Sequence, residues 1–140
     1  MKREHSFGII PFSKQNGEWK VFLILHQKGH WGFPKGRPSE GEKNERTAIR
    51  EFQEETGLLI ERFLSASPFS EHYRFEREGE RVDKTVSYYP AIITGTQTLQ
   101  VEEVKEGKWL TFSEAHQTIT FPESQNLFQR ALDELHDILQ

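Results

Sequence analysis

Residues 36–58 read Gly36-Arg37-Pro38-Ser39-Glu40-Gly41-Glu42-Lys43-Asn44-Glu45-Arg46-Thr47-Ala48-Ile49-Arg50-Glu51-Phe52-Gln53-Glu54-Glu55-Thr56-Gly57-Leu58. The spacing predicts a helix over 45–56, with Asn44 as its N-cap and Gly57 at the position where helices commonly stop. At 100° per residue Ala48, Ile49 and Phe52 share an apolar arc, while Glu51, Glu54 and Glu55 fall in another arc about 100° wide. Three carboxylates therefore converge on one side of a short helix.

Glu, Arg and Lys at three- and four-residue spacing often form nothing more than a solvated face. The wider pattern argues otherwise, because Gly36, Glu42, Arg50, Glu51, Glu54, Glu55 and Gly57 stand at fixed offsets. With each residue type at roughly 6% usage, seven such matches arise by chance on the order of once in 10⁹ starting points. The pattern resembles the signature of the Nudix hydrolases, and every defining position is filled. That resemblance extends over essentially the whole chain. It implies an α/β fold, an α/β/α sandwich with a mixed central sheet, and a hydrolase that uses magnesium or manganese to cleave nucleoside diphosphates linked to another group.

The chemistry can be stated from the residue types. A diphosphate would be repelled by clustered glutamates unless hard divalent cations with oxygen ligands intervened, and Mg²⁺ is commonly shared between carboxylates, waters and phosphates. Crowded carboxylates also raise one another's pKa, a shift that a bound cation reverses. Glu51 and Glu55, one turn apart, are the principal candidate ligands, with Glu54 direct or through water. By resemblance the Gly36 carbonyl is a further ligand. Arg50 and Glu42 are expected to pair, holding the loop against the helix and orienting the neighbouring carboxylates.

Length and composition bound the rest. The 140 residues suit one domain, 1–140, with a core of its own. The absence of cysteine excludes disulfides, thiolate zinc sites and cysteine nucleophiles, and fits a reducing compartment. No apolar run is long enough for a signal peptide or a membrane span, so a soluble cytoplasmic protein is expected. A net charge of −4 offers no general attraction to nucleic acid or anionic lipid, so phosphate must be met by local groups and metal.

Before the helix, residues 6–12 and 19–26 read as two strands joined by a turn at Asn16-Gly17, and the apolar run Val21–Leu25 suggests a strand covered on both faces. The approach Gly29-His30-Trp31-Gly32-Phe33-Pro34-Lys35-Gly36 is punctuated by glycine and proline. It is similar to the corresponding segment of the Nudix enzymes that hydrolyse dinucleoside tetraphosphates. That resemblance places His30 and Lys35 on the polyphosphate, and it makes Lys84, in Lys84-Thr85-Val86-Ser87-Tyr88-Tyr89, a second phosphate-binding lysine.

After the helix, 59–67 and 69–77 read as extended, and Glu78-Gly79-Glu80 as a turn into a strand over 82–94. Ser113 is expected to cap a short helix through His116. From Pro122 onward Leu127, Phe128, Ala131, Leu132, Leu135, Ile138 and Leu139 recur at helical spacing. Nudix enzymes commonly take one more carboxylate from the loop before Trp109, as metal ligand or general base. Glu103 is the match, with Glu102 and Glu106 as alternatives. Phe75 and Phe121 correspond to tyrosines that sandwich adenine in the tetraphosphate hydrolases. Stacking survives the change to Phe, whereas a hydroxyl hydrogen bond does not.

The resemblance thus implies asymmetric hydrolysis of diadenosine tetraphosphate to ATP and AMP. The alternatives are pyrophosphate removal from RNA 5′ ends, which the lack of a basic surface disfavours, another substrate carrying a nucleoside diphosphate, and a nucleotide-binding module without turnover, which the complete set of carboxylates disfavours.

Overall fold

The computed structural model describes residues 1–99 and 104–140. Its elements in chain order are β1 (Lys2–Gln15), β2 (Glu18–His26), β3 (Trp31–Gly32), β4 (Lys35–Gly36), α1 (Asn44–Thr56), β5 (Leu59–Phe63), β6 (Phe69–Arg77), β7 (Glu80–Thr94), β8 (Val104–Leu110), α2 (Phe112–Thr118) and α3 (Pro122–Glu134). Together they form the expected α/β/α sandwich around a mixed sheet. Strand β1 runs parallel to β7 from the pair Lys2–Val82 to the pair Phe12–Ile92, whereas its pairings with β2 and β4 are antiparallel.

Alternation along the strands sorts the apolar residues into two cores. Val21 and Leu23 join Ile10, Phe12, Val86 and Tyr88 beneath Ala115 of α2 and Leu127, Phe128 and Ala131 of α3. Phe22 and Ile24, their immediate neighbours in the chain, join Ile9, Tyr89, Ala91 and Ile93 beneath Ala48 and Phe52 of α1. Strand β2 is therefore covered on both faces, as its unbroken apolar run predicts. The β1–β2 hairpin turns at Asn16 (φ 52°) and Gly17 (φ 81°), the left-handed pair that a two-residue turn requires.

Several boundaries differ from the sequence expectation. Strand β1 extends beyond 6–12 at both ends, to Lys2 because β7 pairs with it from there to Phe12, and to Gln15 through its pairing with β2. Helix α1 is capped at Lys43, whose extended backbone precedes a helical Asn44, and no side chain caps it. Glu42 closes that end instead, accepting from Ser39 N (2.9 Å) and from the Thr47 hydroxyl (2.8 Å). Ile49 is only half-buried, so Ala48 and Phe52 carry the apolar face. Strand β5 stops at Phe63 and β7 starts at Glu80. Thr111, not Ser113, caps α2, in a reciprocal capping box with Glu114 that carries the helix to Thr118. Helix α3 ends at Glu134, leaving Ile138 exposed beyond it. Among the described residues no helix is long and apolar enough to cross a membrane.

One feature of the sheet creates the site. Strands β1 and β2 pair only between Phe12–Gln15 and Glu18–Val21. Past that point β3 pairs with β2 at Ile24 and Leu25, while β4 pairs with β1 at Phe7 and Gly8. Residues 31–36 therefore cross from one diverging strand to the other and bring Lys35 and Gly36 against α1.

Candidate active site

The acidic side of α1 is organised by one arginine. Arg50 grips Glu42 with two hydrogen bonds, Nε to Oε2 at 2.8 Å and Nη2 to Oε1 at 3.0 Å. Its Nη1 donates to Glu51 (3.0 Å) and Glu54 (3.2 Å), and its Nη2 also donates to the Arg37 carbonyl (3.1 Å). Hydrogen bonding from Arg50, then from Ser39 N and Thr47, holds the Glu42 carboxyl down at about 2, and the same contact raises Arg50 above the ordinary arginine value. The expected Arg50–Glu42 pair is present, and Arg50 also bonds two of the three candidate metal ligands.

Glu51 and Glu55 point at strand β4. The Glu51 carboxylate presses against the Gly36 backbone so closely that a Cβ at position 36 would overlap it, which explains the glycine. Glu55 is 4% exposed, and its Oε1 accepts from Lys35 N at 3.1 Å. Glu54 lies on the outer side and is half-exposed against Arg50. The structure thus brings together Glu51, Glu55 and the backbone of Gly36, with Glu54 drawn aside. Among the described residues no three carboxylate or imidazole groups close on a common point. Donors that are all oxygen, with Gly36 leaving room for the Glu51 carboxylate where a side chain would stand, fit a hard divalent cation in type. Glu103 and Glu102 lie outside the described residues, and Glu106 is exposed on β8.

Lysines follow the carboxylates. Burial pushes the Lys35 ammonium below the ordinary lysine range, opposed by Glu55, Glu71 and Glu51. Lys84, 7% exposed, donates to Ser6 Oγ (2.6 Å) and lies 3.5 Å from Glu4. Burial and then the Lys35 charge lower it to about 8. His30 is half-buried between two rings, stacked on His26 (centroids 4.3 Å, 15°) and tilted against Phe121 (5.0 Å, 40°). Burial also pushes His26 down to about 3, and its Nε2 is buried with no hydrogen-bond partner among the described residues. Phe121 and Phe75 are 47% and 37% exposed, so neither belongs to the core.

Sequence reasoning missed Glu71, Glu4, Arg37 and Arg77. Glu71 is 7% exposed and accepts from the Ser124 hydroxyl at 3.0 Å on each oxygen, with burial raising its pKa. The available signal was its place between Phe69 and Tyr73 in a strand of period two. The other three meet only because β4 and β7 both pair with β1 and β6 pairs with β7, which leaves no local trace.

Residues 2–131 match the NUDIX domain. The chain belongs to the Nudix family. Nudix hydrolases generally use divalent metal ions, in keeping with the oxygen donors at α1 and β4. A Mycobacterium tuberculosis protein bearing the mutator-protein name MutT4 is 37% identical over 111 residues, which are 79% of this chain and 44% of that protein. The asymmetrical bis(5′-nucleosyl)-tetraphosphatase of Rattus norvegicus is 30% identical over 113 residues, 77% of this chain and 76% of the relative. The chain therefore spans less than half of the first relative and about three quarters of the second. Among solved structures, a binary complex of C. elegans Ap4A hydrolase superposes with a TM-score of 0.75 at 21% identity, covering 96% of this chain and 98% of the other. This Nudix fold is thus shared with enzymes whose sequences have diverged widely.

Proposed function

We propose that this Nudix hydrolase cleaves diadenosine tetraphosphate asymmetrically to ATP and AMP in the cytoplasm, with Mg²⁺ as its ion and Mn²⁺ as a substitute. The observation that carries the reading is an adjacency: the Glu51–Glu55–Gly36 ridge lies beside Lys35 and Lys84. Two phenylalanines are exposed, Phe75 on β6 and Phe121 at the N-cap of α3. The tetraphosphatase relative gives the same direction.

Glu51, Glu55 and the Gly36 carbonyl would hold the ion, with Glu54 and Glu103 as further carboxylates. When bound, it neutralises phosphoryl charge and makes water more acidic. Water attacks phosphorus in line, a P–O bond to the water oxygen forms, and the bridging P–O bond opposite it breaks. One water proton passes to a carboxylate, Glu103 or a glutamate of α1, and the bridging oxygen departs with its electron pair on the leaving nucleotide. Lys35 and Lys84 stabilise the charge that develops on the phosphoryl oxygens. His30 contacts the chain, and Phe75 and Phe121 take an adenine ring by stacking, which needs no hydroxyl.

The test is a panel of dinucleoside tri-, tetra- and pentaphosphates together with 5′-triphosphorylated RNA, with products separated by chromatography. ATP and AMP in equal amounts from the tetraphosphate are expected. ADP as the sole product, or preferred release of pyrophosphate from RNA, overturns the proposal.

A further inference from the structure

Glu4 lies near the start of β1 with a side chain only 5% exposed, and four cations surround its carboxylate. Arg77 Nη2 is 2.6 Å away, Arg37 Nη1 3.0 Å, Lys84 Nζ 3.5 Å and Lys2 Nζ 4.0 Å. A structural ion-pair network tends toward balance, and this one is four to one. Lys84 is the buried member, its side chain 8% exposed, and a buried cation crowded by like charges is held at a cost that a bound anion offsets. Burial is the main reason that the pKa of Lys84 is lowered, and the charges of Lys35 and then Arg37 add to it.

The cluster also has a direction. Glu4 pairs with Lys84 across β1 and β7, and Lys84 with Tyr73 across β7 and β6, so all three share the sheet face that α3 covers further along. Arg37 follows Gly36 directly, and its carbonyl is already tied to Arg50. Arg77 lies over the ring of Phe75, 5.4 Å from its centroid. Positive charge therefore runs from the metal-ligand candidates at β4, through Arg37 and Arg77 held on Glu4, to the exposed aromatic at the end of β6. The side chains of Arg37 and Arg77 are 56% and 39% exposed, and each uses one guanidinium nitrogen on Glu4. A guanidinium carries five N–H donors in a planar fork suited to phosphate, so donors remain on each.

The geometry points to a second anion subsite in which Arg37 and Arg77, set in place by Glu4, hold the phosphates of the substrate beyond the bond that is cleaved and so select for polyphosphate length. This rests on the polyphosphate hydrolysis proposed above. Glu4 is a positioning residue in it, and Arg37 and Arg77 are the groups that touch the ligand.

Inorganic tripolyphosphate, titrated calorimetrically in Mg²⁺ buffer, reads the subsite without turnover. The Arg37→Gln/Arg77→Gln double variant is expected to bind it about tenfold more weakly than the natural protein. Arg37→Lys/Arg77→Lys recovers part of the loss, since it restores charge without the fork. Arg74→Gln is the control, because Arg74 lies on the same strand but faces Asp83, and it keeps the natural affinity. Both single variants are measured alongside, so that failure of the double variant to fold still leaves two independent readings. Equal affinity of the glutamine variants and the natural protein overturns the subsite. In turnover, kcat/KM of the double variant falls about tenfold further for a dinucleoside tetraphosphate than for a dinucleoside diphosphate, and equal losses on both overturn length selection. Tripolyphosphate binding that depends on Arg37 and Arg77, in a protein that leaves the tetraphosphate intact, would sink the proposed reaction and keep the subsite.

Discussion

Around Arg50 one cation gathers three carboxylates, Glu42, Glu51 and Glu54, whereas around Glu4 one carboxylate gathers Lys2, Arg37, Arg77 and Lys84. The two clusters are near mirror images in charge. In each, the central ion orients its ring without neutralising it, so a surplus is left over, negative at α1 and positive beside β4. A chain with a net charge of −4 has no overall field to draw in a polyanion, and such local surpluses are the means left to it. Arg37 belongs to both clusters, through its carbonyl to Arg50 and its guanidinium to Glu4.

The sharpest way to break the acidic half is Glu55→Gln. The amide keeps the size of the side chain and an acceptor for Lys35 N, so the fold is expected to survive, as thermal unfolding would show. Activity at saturating Mg²⁺ should fall about 10²- to 10⁴-fold, the range for loss of a positioned proton acceptor. Near-normal turnover would remove Glu55 from the site. One step further out, Glu42→Gln and Arg50→Lys spare the ridge itself but loosen its clamp, and about a 10- to 100-fold loss in activity or metal affinity is expected. The Glu42 carboxyl, depressed from 4.5 to about 2, contributes stability that is complete above pH 4.5 and is lost as the pH falls toward 2. An acid titration of stability should therefore be flatter over that window in Glu42→Gln than in the natural protein.

How legible these clusters are in the sequence depends on how local they are. The helix, its carboxylate arc and the Arg50–Glu42 pair lie within 15 residues, and a period of 3.6 exposes them directly. The Asn16-Gly17 hairpin is equally local. The start of α2 was legible too, since Thr111-Phe112-Ser113-Glu114 spells a capping box and the reciprocal bonds of Thr111 and Glu114 outcompete Ser113. The Glu4 cluster is different in kind. Apart from Lys2, its members lie 33, 73 and 80 residues from Glu4 and meet it only through the pairing of strands, as the Lys84–Ser6 bond across 78 residues illustrates. Nothing in the alternation of β1 distinguishes Glu4 from the exposed charges beside it. Arg37 and Arg77 likewise read as solvated residues until the sheet places them on one carboxylate.

The basic half can be loosened by pH. Lys84 falls to about 8 in the folded chain, from 10.5, so above pH 8 its ammonium is progressively lost. If the charged form binds phosphate, KM should rise by up to about tenfold per pH unit between 8 and 10. Stability responds in the opposite sense. Between pH 8 and 10.5 the unfolded chain holds more of this proton than the folded one, so the Lys84 contribution to stability increases with pH. Lys84→Gln should abolish both trends. A KM that is flat through this window in the natural protein would separate Lys84 from phosphate binding.

The smallest expected effect lies at the end of the positive trail. Phe75 is 37% exposed, touched by Tyr73 and covered by Arg77, so Phe75→Leu removes little packing and should change stability by no more than about 0.5 kcal/mol. It does remove an aromatic face. Base stacking is worth about 1 kcal/mol at its lower end, which corresponds to about a fivefold rise in KM for a substrate carrying adenine. Inorganic tripolyphosphate has no base, so its affinity should move far less than it does in the arginine variants. A Phe75→Leu protein that lost tripolyphosphate and the adenine substrate alike would mean that the ring serves to hold Arg77, placing Phe75 inside the basic cluster instead of at its edge.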